Sequence, residues 1–218
     1  MVDNQLLTYL ETFISEERKE RFISILEMRT KYITIAIEDV FQMHNTSALI
    51  RTCEAFGLQE AHVIEGRFGN RLDKNIAMGA QQWVDVFRYN DTLDCISALR
   101  QQGYEIIATS PHKDAYPLQN YKLHNKTAFF FGTEKEGLSP AVINAADRYL
   151  QIPMVGFTAS LNVSVSAAII LQRLTAELRK SELPWQLSPS DILIKRLDWT
   201  KKSIKSIDKI LNRYEKEL

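Results

Sequence analysis

Short apolar runs alternate with helix-like segments along the middle of the chain, and this alternation constrains the fold more than any other feature. The runs occupy residues 32–38, 61–65, 83–89, 104–109, 127–132 and 148–152. The helix-like segments between them are residues 45–57, 91–103 and 139–147. Two of these segments begin with Asn or Asp and end with Gly, the usual start and stop signals of a helix. The pattern predicts an α/β protein with a parallel sheet and helices on both of its faces.

Helical patterns also occupy the two ends of the chain, residues 3–30 and 189–218. In the second segment apolar residues from Leu197 to Leu218 recur three, four or seven positions apart, which predicts one amphipathic helix. Residues 190–218 carry eight Lys or Arg against five acidic residues. The segment is therefore basic, although the usual interpretation of such a run is a solvated surface.

Composition limits the partners of the chain and its location. Twenty-seven basic residues balance 27 acidic ones, so a nucleic acid would have to be held by a local patch of charge. The amino terminus has neither a basic start nor a long apolar run, and Cys53 and Cys95 are the two cysteines. We therefore expect a cytoplasmic protein with reduced thiols. No stretch approaches the roughly 20 apolar residues of a membrane span, so we expect no membrane contact.

Standard nucleotide and metal motifs do not match this sequence. The eight glycines do not form the G-x-G-x-x-G fingerprint. "GTEKEGLS", residues 132–139, has the glycine spacing of a phosphate-binding loop, but Leu138 replaces the required Lys, and Glu134 and Glu136 would repel phosphate. The four histidines form no close pair and neither cysteine has a neighbour at ligand spacing, so we expect no metal site.

Three clusters of polar residues remain, each at the end of a strand candidate or at the start of the next helix. They are Asn45 with Arg51, Gly132 with Glu134, and Ser160 with Asn162. Each residue alone has an ordinary structural explanation as a helix cap, turn residue or surface charge. Together they lie where open α/β sheets bind ligands, at the carboxyl ends of the strands.

The three segments that carry these clusters are "NTSALIRTCEAFG", "FFGTEKEGLS" and "IPMVGFTASLNVSVSAA". In sequence, order and separation they resemble the three motifs of the SpoU family of RNA 2′-O-ribose methyltransferases, which belong to the SPOUT class and use S-adenosyl-L-methionine (AdoMet). The resemblance covers roughly residues 31–180, the predicted methyltransferase domain. The helical extensions, residues 1–30 and 181–218, further resemble the TrmH branch of the family, which modifies tRNA.

The resemblance implies a fold that alternation of strands and helices could not predict. Family members thread a carboxyl-terminal loop to form a deep trefoil knot, against which AdoMet binds, and they dimerise through the knot helices. Residues 160–166 alternate polar and apolar side chains as a half-buried strand does. The resemblance instead places Ser160, Leu161 and Asn162 in the last knotted loop, with a helix beginning directly after them.

The resemblance also implies roles for individual residues. The catalytic group would be Arg51, Asn45, Glu134, Ser160 and Asn162, and the AdoMet contacts would be Thr109, Gly132, Ile152 and Leu161. Arg51 would contact the target phosphate and help to deprotonate the ribose hydroxyl. A guanidinium is almost always protonated, so the role of Arg51 as a base or as an electrostatic anchor stays open.

Basic residues near the carboxyl terminus complete the prediction. We expect the RNA to bind Lys195, Arg196, Lys201, Lys202, Lys205 and Lys209. The expected substrate is tRNA, methylated on the 2′-hydroxyl of guanosine-18 in the D-loop. The alternatives are methylation of ribosomal RNA, a knotted RNA-binding protein without activity, and an adaptor in which the knot is only a dimer scaffold.

Overall fold

The computed structural model describes residues 4–39, 43–66, 79–110, 115–133 and 136–217. Its strands are β1 (Ile33–Glu38), β2 (Glu60–Ile64), β3 (Asp85–Tyr89), β4 (Glu105–Thr109), β5 (Tyr116–Pro117), β6 (Thr127–Phe131) and β7 (Arg148–Gln151). Its helices are α1 (Asn4–Glu11), α2 (Glu16–Glu27), α3 (Met43–Ala55), α4 (Thr92–Gln101), α5 (Pro140–Ala145), α6 (Val163–Leu178), α7 (Pro189–Ser203) and α8 (Ile207–Glu217). Within these residues no helix has both the length and the apolar character to cross a lipid bilayer.

The chain divides into two compact units. The sheet unit is Thr30–Trp185 and contains all seven strands. The terminal unit combines the two ends of the chain, up to Arg29 and from Gln186 onward. Helices that lie far apart in sequence therefore share one unit.

The seven strands form a single sheet in the order β3-β2-β1-β6-β4-β7-β5, and every pairing is parallel. β1, β2 and β6 are buried along their whole length, as expected for parallel strands that are covered on both faces. The predicted α/β parallel sheet is confirmed, and each of the six predicted strands coincides with an observed one. The two-residue β5 was missed because it is too short to show a pattern. The trefoil knot stays a prediction.

The segment from residue 160 onward, which has both a strand-like and a helix-like pattern, forms a loop followed by a helix. Residues 160–162 have no regular structure, and α6 begins at Val163. Asn162 caps this helix, since its Oδ1 accepts hydrogen bonds from the backbone N–H of Ser164 at 2.9 Å and from the Ser164 hydroxyl at 2.6 Å. α6 packs against α3, and Ala167 is fully buried. A loop at residues 160–162 with a helix directly after it agrees with the family resemblance, while the knotting of this loop stays a prediction.

The prediction of one long carboxyl-terminal helix was wrong. α7 ends at Ser203 and α8 begins at Ile207, and Ser206 between them has a φ of 56° in the left-handed region. Side chains of Ser compete with the backbone for hydrogen bonds, and the Ser203 hydroxyl donates to the carbonyl of Trp199 at 2.8 Å. The apolar spacing continues across the turn, so periodicity alone could not reveal the break.

The terminal unit is held together by contacts between its two chain segments. Arg196 on α7 forms a two-pronged ion pair with Glu11 of α1, including a 2.7 Å bond from Nη2 to Oε2. The Trp199 ring is buried, with the Phe22 ring 5.6 Å away edge-on and the Arg29 guanidinium 5.3 Å from its centroid. The amino-terminal segment is itself two helices, and Ser15 caps the second by accepting from the N–H of Arg18.

A buried histidine gives the sheet unit a pH dependence. His62 on β2 is fully buried, and its ring stacks on those of Phe87 and Tyr89, with centroids 5.2 and 5.8 Å away. Its Nδ1 lies 3.1 Å from the Tyr89 hydroxyl, while its Nε2 has no hydrogen-bond partner among the described residues. Burial lowers the pKa of His62 to about 4, because a charged imidazolium would lose its hydration.

We therefore predict that the protein loses stability in mild acid through His62. The unfolded chain binds a proton near pH 6.5 and the folded chain only near pH 4, so this contribution is complete above pH 6.5 and is lost as the pH falls towards 4. The loss should approach about 3 kcal/mol. Chemical denaturation from pH 4.5 to 7.5 measures it, and His62→Gln should flatten the slope. Parallel pH profiles for the variant and the natural protein would contradict this prediction.

Candidate active site

A cleft lies at the carboxyl ends of β4 and β7, between those strands and the loop that leads into α6. Its lining residues are Thr109, Ser110, Leu150, Gln151, Ile152, Met154, Ala159, Ser160, Leu161, Ser166 and Ile170. Three of the four predicted AdoMet contacts, Thr109, Ile152 and Leu161, are therefore found together around one cleft. Its walls combine apolar side chains with hydroxyl and backbone groups, a mixture that suits an adenine ring and a ribose.

Strand pairing orients the groups at this edge. Thr109 is the last residue of β4, and its hydroxyl donates to the Phe130 carbonyl of β6 at 2.7 Å. The side chain is thereby tied to the neighbouring strand. Ile152 directly follows β7, and Ser160 is exposed in the loop beyond it.

Gly132, the fourth predicted AdoMet contact, serves a different local purpose. It follows β6 and is not among the cleft residues. A Cβ at this position would lie 2.2 Å from the carbonyl oxygen of Gly137, so no other residue fits without a backbone shift. Thr133 and Gly137 exchange two backbone hydrogen bonds, of 3.0 and 3.1 Å, which close the loop tightly. The predicted catalytic residue Glu134 lies outside the described residues.

Two predicted catalytic residues that lie far apart in the sequence of the sheet unit form a direct hydrogen bond. Asn162 donates from Nδ2 to Oδ1 of Asn45 at 3.2 Å, although 117 positions separate them in sequence. Asn45 is buried in the first turn of α3, whereas Asn162 is the exposed cap of α6. This hydrogen bond joins the first and third predicted motifs.

Arg51 lies on another side of α3 from Asn45. It lies six residues after Asn45 on α3, which turns its side chain by about 240° around the helix axis. Leu49, Ile50 and Cys53 face the core, while Arg51 is exposed. Within one chain its guanidinium is therefore directed away from the core-facing side of α3.

Sequence reasoning missed a buried carboxylate at the end of β1. Glu38 is 3% exposed and accepts hydrogen bonds from the Thr92 hydroxyl at 2.7 Å, and from the N–H and hydroxyl of Ser139 at 2.8 and 2.6 Å. Ser139 caps α5 and ends the loop that begins at Gly132. Glu38 thus fixes the second motif to β1. An acidic residue closing the apolar run 32–38 was the available signal.

The predicted RNA-binding residues fall into two groups in the terminal unit. Arg196 pairs with Glu11, Lys202 lies 2.7 Å from Asp198, and Lys195 lies 3.9 Å from the same carboxylate. Lys201 is half-buried, and Lys205 and Lys209 are exposed. Across the described part of the chain, no group of three or more His, Cys, Asp or Glu side chains could hold a metal ion.

Comparison with known sequences places these motifs in a family. The model of the SpoU rRNA Methylase family matches residues 32–172. A tRNA (guanosine(18)-2′-O)-methyltransferase of Borreliella burgdorferi is 40% identical over 203 residues, which cover 93% of either chain.

Solved structures agree with that match. The A. aeolicus TrmH/SpoU tRNA modifying enzyme superposes with a TM-score of 0.76 at 29% identity, covering 87% of this chain and 98% of its own. The SpoU methyltransferase AviRb from Streptomyces viridochromogenes, solved in complex with AdoMet, superposes with a TM-score of 0.62 at 22% identity. That alignment covers 72% of this chain and 65% of AviRb, and it shows a shared fold.

The cap that Asn162 forms on α6 is tested with two variants, both of which lose the contact with Asn45. Asn162→Ser keeps a good helix cap but is too short to reach Asn45, while Asn162→Ala loses both the cap and the contact. We expect Asn162→Ala to unfold with about 1 kcal/mol less free energy than Asn162→Ser, as measured by urea denaturation. Equal stabilities for the two variants would mean that the cap of α6 contributes nothing.

Proposed function

This chain is a member of the SpoU rRNA methylase family, and from that membership we propose that it methylates the ribose 2′-hydroxyl of guanosine-18 in the D-loop of tRNA. The methyl donor is AdoMet. One observation carries the proposal: 40% identity over 93% of both chains with a relative named for this reaction. We place the activity in the cytoplasm, where tRNA is modified.

The site suits this chemistry. AdoMet supplies a methyl group on a sulfonium that is already a good leaving group, so the chain has to provide position rather than a covalent intermediate. With AdoMet bound, the ribose oxygen would form a bond to the methyl carbon, the sulfur would keep the electron pair of the broken carbon–sulfur bond, and the hydroxyl proton would pass to a base or to solvent. The cleft at Thr109, Ile152 and Leu161 would hold the adenosine end of AdoMet. Gly132 would shape the loop beside it.

The remaining polar residues would position the acceptor. Asn45 and Asn162 hold the first and third motifs together, and Ser160 is exposed at the cleft. We assign Arg51 and Glu134 to the ribose and its phosphate, with Arg51 as an electrostatic anchor or as the base. Residues 31–180 would carry out the transfer, and the extensions 1–30 and 181–218 would bind the tRNA.

The position of Arg51 supports a homodimer. Its side chain is exposed and directed away from the core-facing side of α3. Val165 and Ile169 on α6 are 46% and 39% exposed, and they form an apolar face next to the α3–α6 packing. A second copy on this face would cover the apolar side chains and bring Arg51 towards the partner's cleft.

We therefore predict a homodimer whose interface includes Ile169. Light scattering at micromolar concentration should give twice the chain mass, and Ile169→Glu should lower both the mass and the rate of methyl transfer. Leu93→Glu on α4, at a residue that is 60% exposed, is the matched control and should change neither. A monomer with full activity would overturn the dimer and leave the proposed reaction standing.

The reaction itself is tested with an unmodified tRNA transcript and radiolabelled AdoMet. Label should enter the transcript at guanosine-18, and a transcript with 2′-deoxyguanosine at that position should take up none because it lacks the acceptor oxygen. Labelling of ribosomal RNA in place of guanosine-18 would support the alternative substrate.

Arg51→Ala provides the protein control for the same assay. We expect it to abolish transfer while the affinity for AdoMet stays within about twofold, since Arg51 is absent from the cleft lining. Turnover comparable to that of the natural protein would remove Arg51 from the catalytic group.

A further inference from the structure

The cations of the terminal unit differ in what they contact. Arg196, which is 24% exposed, forms its two-pronged ion pair with a Glu11 side chain that is only 9% exposed. Lys202 and Lys195 share the carboxylate of Asp198. Charges that are neutralised inside the unit attract phosphate weakly, because the nearby carboxylate cancels their field.

A second set of cations lies on α8. Lys209, Arg213 and Lys216 are exposed and are spaced four and three residues apart, so they share one face of the helix within about 60°. The half-buried Ile207, Ile210, Leu211 and Tyr214 occupy the opposite face. Lys205 is exposed in the turn that precedes the helix. We call the three exposed lysines Lys205, Lys209 and Lys216 the α8 ridge.

Among the described side chains of α8, no acid lies on the face of the ridge. Asp208 and Glu215, the two acids of α8 whose side chains are described, lie about 100° to 120° around the helix from Lys209. No ion pair joins Lys205, Lys209 or Lys216 to an acid in the described part of the chain. A row of cations on one side of a helix that packs through the other side suits a nucleic-acid backbone.

We propose that the α8 ridge is the phosphate-binding surface of the terminal unit, and that Arg196 is a positioning residue that holds α7, and α8 after it, through Glu11. The inference rests on the proposed function, because it assigns the RNA partner to particular residues. It also revises the sequence-based expectation, which counted Arg196 among the RNA contacts and left Lys216 out.

The amino-terminal segment then acts as a scaffold for RNA binding. Its Glu11 contacts Arg196, its Phe22 and Arg29 enclose Trp199, and its Tyr9 ring lies 4.9 Å from that of Tyr214 on α8. These contacts connect both α7 and α8 to the first 29 residues. An arrangement of this kind fixes the ridge in one orientation, so that its cations face a rigid tRNA together.

The first experiment measures how tRNA binding depends on salt. Each phosphate contact adds about 0.9 to the slope of log affinity against log salt for duplex nucleic acid. The double variant Lys209→Gln/Lys216→Gln of the full chain should therefore lower the slope for an unmodified tRNA transcript by about 1.5 to 2. The matched control Lys122→Gln/Lys180→Gln removes two exposed lysines of the sheet unit and should leave the slope unchanged. Equal slopes for the two double variants would overturn the ridge.

The second experiment separates positioning by Arg196 from RNA contact. Glu11→Gln removes an acid and releases Arg196, so it should strengthen tRNA binding if Arg196 contacts RNA. If Arg196 positions the ridge, the same change should weaken binding by about two- to fivefold. The exchanged pair Glu11→Arg/Arg196→Glu should restore affinity. Tighter binding by Glu11→Gln, or failure of the exchanged pair in a chain whose unfolding is unchanged, would contradict the positioning role.

Both measurements are made on binding, and methylation of guanosine-18 is scored separately. An intact salt effect at the ridge without label at guanosine-18 would contradict the proposed reaction and leave the ridge standing. Label at guanosine-18 with no change of salt dependence in the ridge variant would contradict the ridge and leave the proposed reaction standing.

Discussion

The parallel direction of every strand is the constraint on which the rest of the structure depends. Parallel pairing places the carboxyl ends of all seven strands at one edge, so loops that follow distant strands become neighbours. The cleft is formed there by residues after β4 and β7, and the tight loop of Gly132 follows β6 at the same edge. Strand pairing alone is therefore enough to bring these loops together at one site, although they lie far apart in sequence.

Strand order then decides which loops meet. β6 lies between β1 and β4, and β7 pairs with β4 and β5 near one edge of the sheet. The helix that follows β7, α6, packs against α3, and the cap of α6 thereby reaches the start of α3, where Asn162 contacts Asn45. Fully buried Ala167 suits the close packing of these two helices. At the same edge Glu38 ties the second motif to β1 through Ser139.

The terminal unit is assembled differently, because it consists of the two segments that precede and follow the sheet unit in the sequence. The ends of that sheet unit are tied together by a hydrogen bond from the Thr30 hydroxyl to the carbonyl of Trp185. Both flanking segments therefore leave from neighbouring points, and little chain entropy opposes their pairing. Glu11 and Arg196 supply a charge-paired contact between them, and the rings around Trp199 supply the apolar one.

The sequence by itself determined the elements and their chemistry. Alternating patterns specified six strands and a parallel sheet, and the resemblance of three motifs to the SpoU family predicted that Asn45, Arg51 and Asn162 belong to one site. Those signals are local, since side-chain periodicity and helix caps depend on neighbours along the chain. Only the tertiary structure decided that Asn45 contacts Asn162, that Arg51 faces away from the core, that Glu38 supports the second motif, and that Arg196 is occupied by Glu11. Each of these contacts and orientations depends on which residues from distant parts of the sequence pack together. Side-chain periodicity reports only on neighbours along the chain, so it cannot identify such a partner.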